Sequence, residues 1–428
     1  MSGPDLPEPV PIAGLRGLSA YKVPQHPAPI DLILSGNEGP QPPLDLAGEL
    51  LRAGPELLRR YPDARALTAS LARRLGTSPD RVLVTAGADE ALDRAFRAYL
   101  SPGDTIVLPS PTFVMLPHYA KLIGATMVTP AWPAEAFPLD DVLAALASKP
   151  KALALVSPNN PTGAAIPTAT LLELAKASPS TLVFVDFAYV EMADEDPTAE
   201  LLTLPNVLVF RTLSKAWGLA GLRVGYVVGD PRTIAVLRAA GPPYSVTSTS
   251  LLLAERHLEG HEPAMRHYVA EVRKERGALY DALVRCGTRP VKSAANFVFA
   301  RCKGAAQALW LRDGLASLGI GVRAFPGDPW VGDGERITCP GDPAQTERLL
   351  HAIEAVLAPH VHLHRVEELV GLGRPAWFFA TDRGDIALAK KAGAVPIVLG
   401  EPNDPDALLA AGAARIVPTL EALEASLV

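Results

Sequence analysis

Six short apolar runs, at residues 82–85, 105–108, 152–157, 182–186, 207–210 and 224–228, recur along the middle of the chain without polar alternation. A strand that is apolar at every position has no face to give to water, so both faces must be covered. Sheets of that kind are mainly parallel and wrapped by helices. Helical patterns separate the runs, among them 88–100, rich in Ala, Leu and Arg, and 168–177. The expected fold class is α/β, with functional loops at the carboxyl ends of the strands.

Around this centre the pattern changes twice. Residues 1–30 are proline-rich and read as an extended arm. A long helical stretch runs from Ser248 to about Arg285, with Glu271, Arg273, Lys274 and Glu275 on its solvated side. A smaller α+β region follows, with strands at 296–300 and 335–338 and a closing helix at 345–357. Residues 360–364 read as a junction, and 365–428 give a small α/β unit with strands at 376–380, 396–399 and 414–417 and helices at 386–392 and 406–411. The expected boundaries are therefore 1–44 (arm and part of the smaller domain), 45–270 (large domain), 271–358 (small domain) and 365–428 (appended unit).

At 428 residues there is room for two or three separate cores. A net charge of −6 with no basic tract argues against a nucleic-acid partner. Cys286, Cys302 and Cys339 lie far apart, which suggests neither a disulfide framework nor a metal site. No run of about 18 apolar residues predicts a membrane span. The N-terminus lacks a basic-then-apolar leader pattern, so the expectation is a cytoplasmic protein.

Chemistry concentrates just after the apolar runs. Lys215 stands in Thr212-Leu-Ser-Lys-Ala-Trp-Gly-Leu-Ala-Gly-Leu-Arg223, between a strand and a Gly-rich turn. Partial desolvation and nearby positive charge lower a lysine's pKa, and the free amine attacks an aldehyde. Ser214 and Arg223 can bind an anion beside it. A solvated lysine after a strand is the alternative. A nucleophilic amine beside a phosphate cup is what pyridoxal phosphate requires, together with an acid for the ring nitrogen, donors to the ring hydroxyl and a stacking face.

Each has a candidate. Gly87-Ala-Asp-Glu90 follows a strand and opens a helix, so backbone N–H groups at Ala88 and Asp89 can hold the phosphate; a plain helix start would look the same. Asp186 ends the run 182–186 and can pair with the pyridine N–H, although strand-end aspartates also ligate metals or cap helices. Tyr189 can reach the ring hydroxyl. Ser157-Pro-Asn-Asn-Pro-Thr-Gly163 forms a tight loop able to aim Asn160 at the same hydroxyl. Phe113 can stack on the ring or fill a core. Arg323 and Arg336 are able to grip a carboxylate or phosphate, or to lie on the surface like most arginines.

Taken in order, these motifs resemble the fold type I aminotransferases, and within them the histidinol-phosphate aminotransferase group. The resemblance spans roughly residues 30–358 and rests on Asn37-Glu38, Arg60-Tyr-Pro-Asp63, Gly87-Ala-Asp-Glu90, Pro111-Thr-Phe113, Ser157–Gly163, Asp186-Phe-Ala-Tyr189, the run 212–223, Ala295-Asn-Phe297 and Arg336. It implies the fold type I large domain and a small α+β domain. It also implies a Schiff base between Lys215 and pyridoxal 5'-phosphate, with histidinol phosphate as amino donor and 2-oxoglutarate as acceptor. It further implies a homodimer in which Tyr61 reaches the partner's cofactor phosphate, and a substrate anion held by Arg336 with Arg323 near it. Gly39-Pro40, Phe113, Phe187 and Trp217 depart from the group's usual residues and alter the pocket wall. An aromatic or neutral amino-acid aminotransferase, or a threonine-phosphate-type decarboxylase, would share the scaffold. A regulator or binding module that retains the cofactor fold without turnover is a further alternative, and it would have no need of Lys215 and Asp186 together.

In the tail, Gly384-Asp-Ile-Ala-Leu-Ala-Lys-Lys-Ala-Gly393 followed by 395–399 resembles part of a haloacid-dehalogenase-type phosphatase. No Asp-x-Asp pair precedes it, and Asp382 and Asp385 stand one residue closer than that family's acids. The expectation is a structural or interaction remnant.

Overall fold

The computed structural model describes residues 10, 12–16, 18, 20, 26–359 and 361–425. Most of the proline-rich arm and His360 lie outside them. A seven-stranded sheet forms the centre, in the order Val82–Thr85, Gly225–Gly229, Val207–Thr212, Leu182–Asp186, Ala152–Val156, Thr105–Val107, Thr126–Val128. All pairings are parallel except those of Gly225–Gly229, which runs antiparallel to both neighbours. The strands Ala152–Val156 and Val207–Thr212 are buried at every residue, as two-sided coverage requires. Phe184 packs between Phe96 at 5.7 Å and Phe210 at 5.8 Å. Fully burying such a ring contributes about 1.5–3 kcal/mol.

Three readings change. The edge strand Thr126–Val128, exposed on alternate residues, has no apolar run to announce it. The helical stretch 248–285 is two helices, Ser248–Gly260 and Glu262–Arg285, separated at His261. Pro263 lacks the N–H that a continuous helix would need there and sits instead in the first turn of the second helix. The junction 360–364 contains a strand, Val361–Leu363.

The small domain carries an antiparallel sheet ordered Arg323–Ala324, Gly334–Thr338, Phe297–Arg301, Arg289–Val291. Leu32–Ile33 pairs in parallel with Ile320–Gly321, so the segment after the arm belongs to this domain. The tail forms a parallel sheet in chain order: Val361–Leu363, Ala376–Ala380, Val395–Leu399, Arg415–Val417. It packs on the small domain through Trp377 against Trp310, ring centroids 5.3 Å apart, and through Arg415 to Asp313 at 3.2 Å. Among the described residues, no helix is long and apolar enough to cross a membrane.

Candidate active site

The carboxyl ends of the parallel strands deliver the chemistry to one place. Asp186 ends its strand, Asn160 follows Ala152–Val156, Phe113 follows Thr105–Val107 and Lys215 follows Val207–Thr212. A cavity of about 460 Å³ opens between them and the small domain, lined by Ala88, Asp89, Phe113, Asn160, Asp186, Tyr189, Ser214, Lys215, Arg223, Arg323 and Arg336. Every site residue expected from the sequence is thus gathered there except Tyr61. That ring is 80% exposed, stacks on Tyr244 at 4.7 Å and does not line the cavity.

Lys215 Nζ donates to the Gly36 carbonyl at 3.1 Å and lies 5.8 Å from the Tyr189 ring centre. Burial, then the positive charge of Arg336, brings its pKa down to about 8, against the opposing pull of Asp89 and Glu38. Asp186 shows the reverse. It is 4% exposed, its carboxylate accepts from the Ala188 N–H at 3.0 Å, and burial pushes its pKa up to about 7. A buried carboxyl group in that condition is a good seat for a cationic N–H, which would restore its charge.

The phosphate end is shaped by glycine. Gly87 has φ +79°, and a Cβ there would meet Arg223 Nη2 at 2.6 Å; a Cβ at Gly225 would meet the Ala88 nitrogen at 2.4 Å. The helix Gly87–Tyr99 therefore starts in a cradle of backbone N–H groups, with Arg223 beside it and paired to Asp89 at 3.3 Å. Ser214 accepts from Thr212 Oγ1 at 2.9 Å. These groups suit a phosphate, and with Lys215 and Asp186 the residues fit pyridoxal phosphate.

Arg336, also in the cavity wall, is 8% exposed, donating to Asn160 Oδ1 at 2.6 Å and to the Ser35 carbonyl at 2.5 Å. Asn160 is thus tied to Arg336 across the cavity they both line. Arg323 stands directly across from Arg336 on the neighbouring antiparallel strand, so both present to the same face.

The sequence reading missed the role of residues 35–37. Asn37, buried and at φ 51°, donates to Tyr189 Oη at 3.0 Å, and its other amide atom meets Thr338 Oγ1 at 2.9 Å. Burial holds the Tyr189 phenol above its ordinary pKa. An Asn before Glu in a polar segment carries one available signal, tolerance of positive φ, but its partner lies 152 residues away.

Comparison with known proteins agrees with this geometry. The family described as aminotransferase class I and II matches residues 35–353. Histidinol-phosphate aminotransferase 2 of Caulobacter vibrioides is 37% identical, over 76% of this chain and 86% of the relative. An aromatic amino acid aminotransferase of Corynebacterium glutamicum is 34% identical, over 76% of this chain and 93% of the relative. Among solved structures, histidinol-phosphate aminotransferase from Sinorhizobium meliloti in complex with pyridoxal-5'-phosphate superposes with a TM-score of 0.72 at 25% identity, covering 80% of this chain and 97% of that one. The chain is a pyridoxal-phosphate-dependent enzyme and belongs to the class I and II aminotransferase family.

Proposed function

We propose that the enzyme moves an amino group from histidinol phosphate to 2-oxoglutarate. The observation that carries this reading is the pair Arg323 and Arg336, cross-strand neighbours that both line the cavity. Two guanidinium groups there suit the phosphate of a donor and the carboxylates of an acceptor. Bound in the site, pyridoxal phosphate supplies an electron-withdrawing ring that takes up the charge left when the substrate Cα loses its proton. Lys215 Nζ is the base that accepts this proton, and its lowered pKa keeps free amine available near neutral pH. Asp186 would hold the protonated ring nitrogen, Tyr189 and Asn160 would meet the ring hydroxyl, and Phe113 would stack on the ring; all four line the cavity. The same reading includes a cytoplasmic homodimer in which the outward-facing Tyr61 completes the partner's phosphate cup.

The aromatic walls Phe113, Tyr119 and Tyr189 favour a second donor class, aromatic amino acids. Single-turnover spectroscopy of the holoenzyme with histidinol phosphate and a panel of amino acids separates the two. Histidinol phosphate should convert the cofactor fastest, and glutamate should form when 2-oxoglutarate is added. Faster conversion by phenylalanine, or release of carbon dioxide in place of glutamate, would overturn the assignment.

We further infer that the tail is a haloacid-dehalogenase-like remnant without phosphatase activity. Asp382 caps a helix through the Asp385 N–H at 2.9 Å, and Asp385 accepts from the Thr381 hydroxyl at 2.6 Å. The strand Val361–Leu363 offers His362 and no acid. Magnesium-dependent release of phosphate from p-nitrophenyl phosphate, abolished by Asp385→Asn, would contradict this.

A further inference from the structure

A second cavity, of about 600 Å³, lies along the seam between the tail and the small domain. It meets the catalytic cavity at Ser35 and Arg323, which line both. The tail contributes the strand Arg415–Val417 and the small domain the helix Ala305–Ser317, with His26 closing one side.

Its charge is unbalanced. Arg312, Arg323, Arg415 and His26 line it, and Asp313 is the sole carboxylate among the lining residues. That one carboxylate is shared by Arg312 at 2.6 Å, Arg415 at 3.2 Å and His26 at 3.3 Å. A single negative charge cannot neutralise two guanidinium groups. Burial of nearby Glu335 raises its pKa well above the ordinary value, against the pull of Arg312 and Arg323. Arg415 is held in place by the Trp310 ring, 5.8 Å from its guanidinium, and not by a full set of acceptors. Its Nε–H is buried and has no hydrogen-bond partner among the described residues. Leaving a buried charged donor without an acceptor is costly, so Arg415 stands incompletely satisfied by the protein.

We propose that this seam cavity is a binding site for a small phosphorylated molecule, separate from the catalytic cup. Donors that reach in from three different elements match the non-coplanar oxygens of a phosphate better than a planar carboxylate. Because Arg323 lines both cavities, an occupant of the seam acts on the substrate end of the active site. The tail, by supplying Arg415, is what makes the site. The inference goes beyond the proposed reaction and does not depend on which amine is the donor.

The test is calorimetric titration of the full-length holoenzyme with inorganic phosphate at constant ionic strength, with the cofactor filling the catalytic cup. Wild type should bind phosphate, and Arg415→Gln should weaken it by about tenfold or more, the effect of losing one charge-assisted hydrogen bond. Tryptophan emission should respond to phosphate in wild type through Trp310 and stay flat in Arg415→Gln. Cofactor absorbance should be unchanged by the substitution. Arg312→Gln, on the small domain, should repeat the loss, so the inference stays testable even if the tail variant misfolds. Phosphate binding that survives both substitutions but vanishes in Arg336→Lys would place the anion in the catalytic cleft and overturn the proposal. Absence of binding in wild type, or succinate binding as tightly as phosphate, would overturn it as well.

Discussion

Lys215 is an amine whose ionisation the fold controls, and removing one neighbouring charge tests the physical account of how. At a pKa of about 8 in place of the ordinary 10.5, the free-amine fraction at pH 7 rises about 300-fold. Burial is the larger cause and the Arg336 charge the second. In Arg336→Gln the buried setting persists while the charge goes, so the Lys215 pKa should move up from about 8 toward 10.5. The assay is the rate at which apoenzyme captures pyridoxal phosphate, followed by stopped-flow absorbance across pH 6–11. Capture needs the free amine, so wild type should rise to a plateau with its midpoint near 8 and the variant with a higher one. At pH 7 the variant should be slower by about threefold to tenfold, and the two should converge at the alkaline end. Arg336 is not one of the groups of the phosphate cup (Ala88, Asp89, Ser214 and Arg223), so cofactor affinity itself should hardly change. An unshifted midpoint in the variant, or a wild-type midpoint near 10.5, would refute the electrostatic argument.

Asp186→Asn should stabilise the apoenzyme while abolishing most activity. With a folded pKa raised by burial from the ordinary 3.8 to about 7, the native state holds the proton more tightly than the unfolded chain. Wild-type apoenzyme therefore loses stability as pH rises from about 4 through 7, by at most about 4 kcal/mol. A melting temperature at pH 8 that falls on substitution would contradict this. Gly87→Ala should weaken pyridoxal phosphate binding by about tenfold or more, because φ +79° is strained for alanine and the new methyl displaces Arg223. Equilibrium dialysis showing unchanged affinity would remove the cradle from the account.

The sheet was readable because its strands are apolar throughout, and the loops after Val156, Asp186 and Thr212 followed from that. The gathering of Lys215, Asp186 and Asn160 in one cavity was legible for the same reason: strand ends converge wherever a parallel sheet is wound, whereas Arg336 comes from the antiparallel sheet of the small domain. What the sequence hid depends on distant partners. Val361–Leu363 pairs with Ala376–Ala380 although His362 interrupts its apolar pattern, and that imidazole is accommodated by stacking on Trp377 at 4.8 Å. Leu32–Ile33 is a strand only because Ile320–Gly321 lies beside it. Asn37 could be placed in a motif, but its contact with Tyr189 required the small domain to close over the cavity. Pro263 was a visible breaker, and His261 shows where its break falls.

The central claim is that the Lys215 amine carries the aldehyde of pyridoxal phosphate. Borohydride reduction of the holoenzyme, followed by peptide mass mapping, should find one pyridoxyl group per chain, on Lys215, and none in Lys215→Ala. A label on another lysine, or turnover that survives Lys215→Ala, would contradict it.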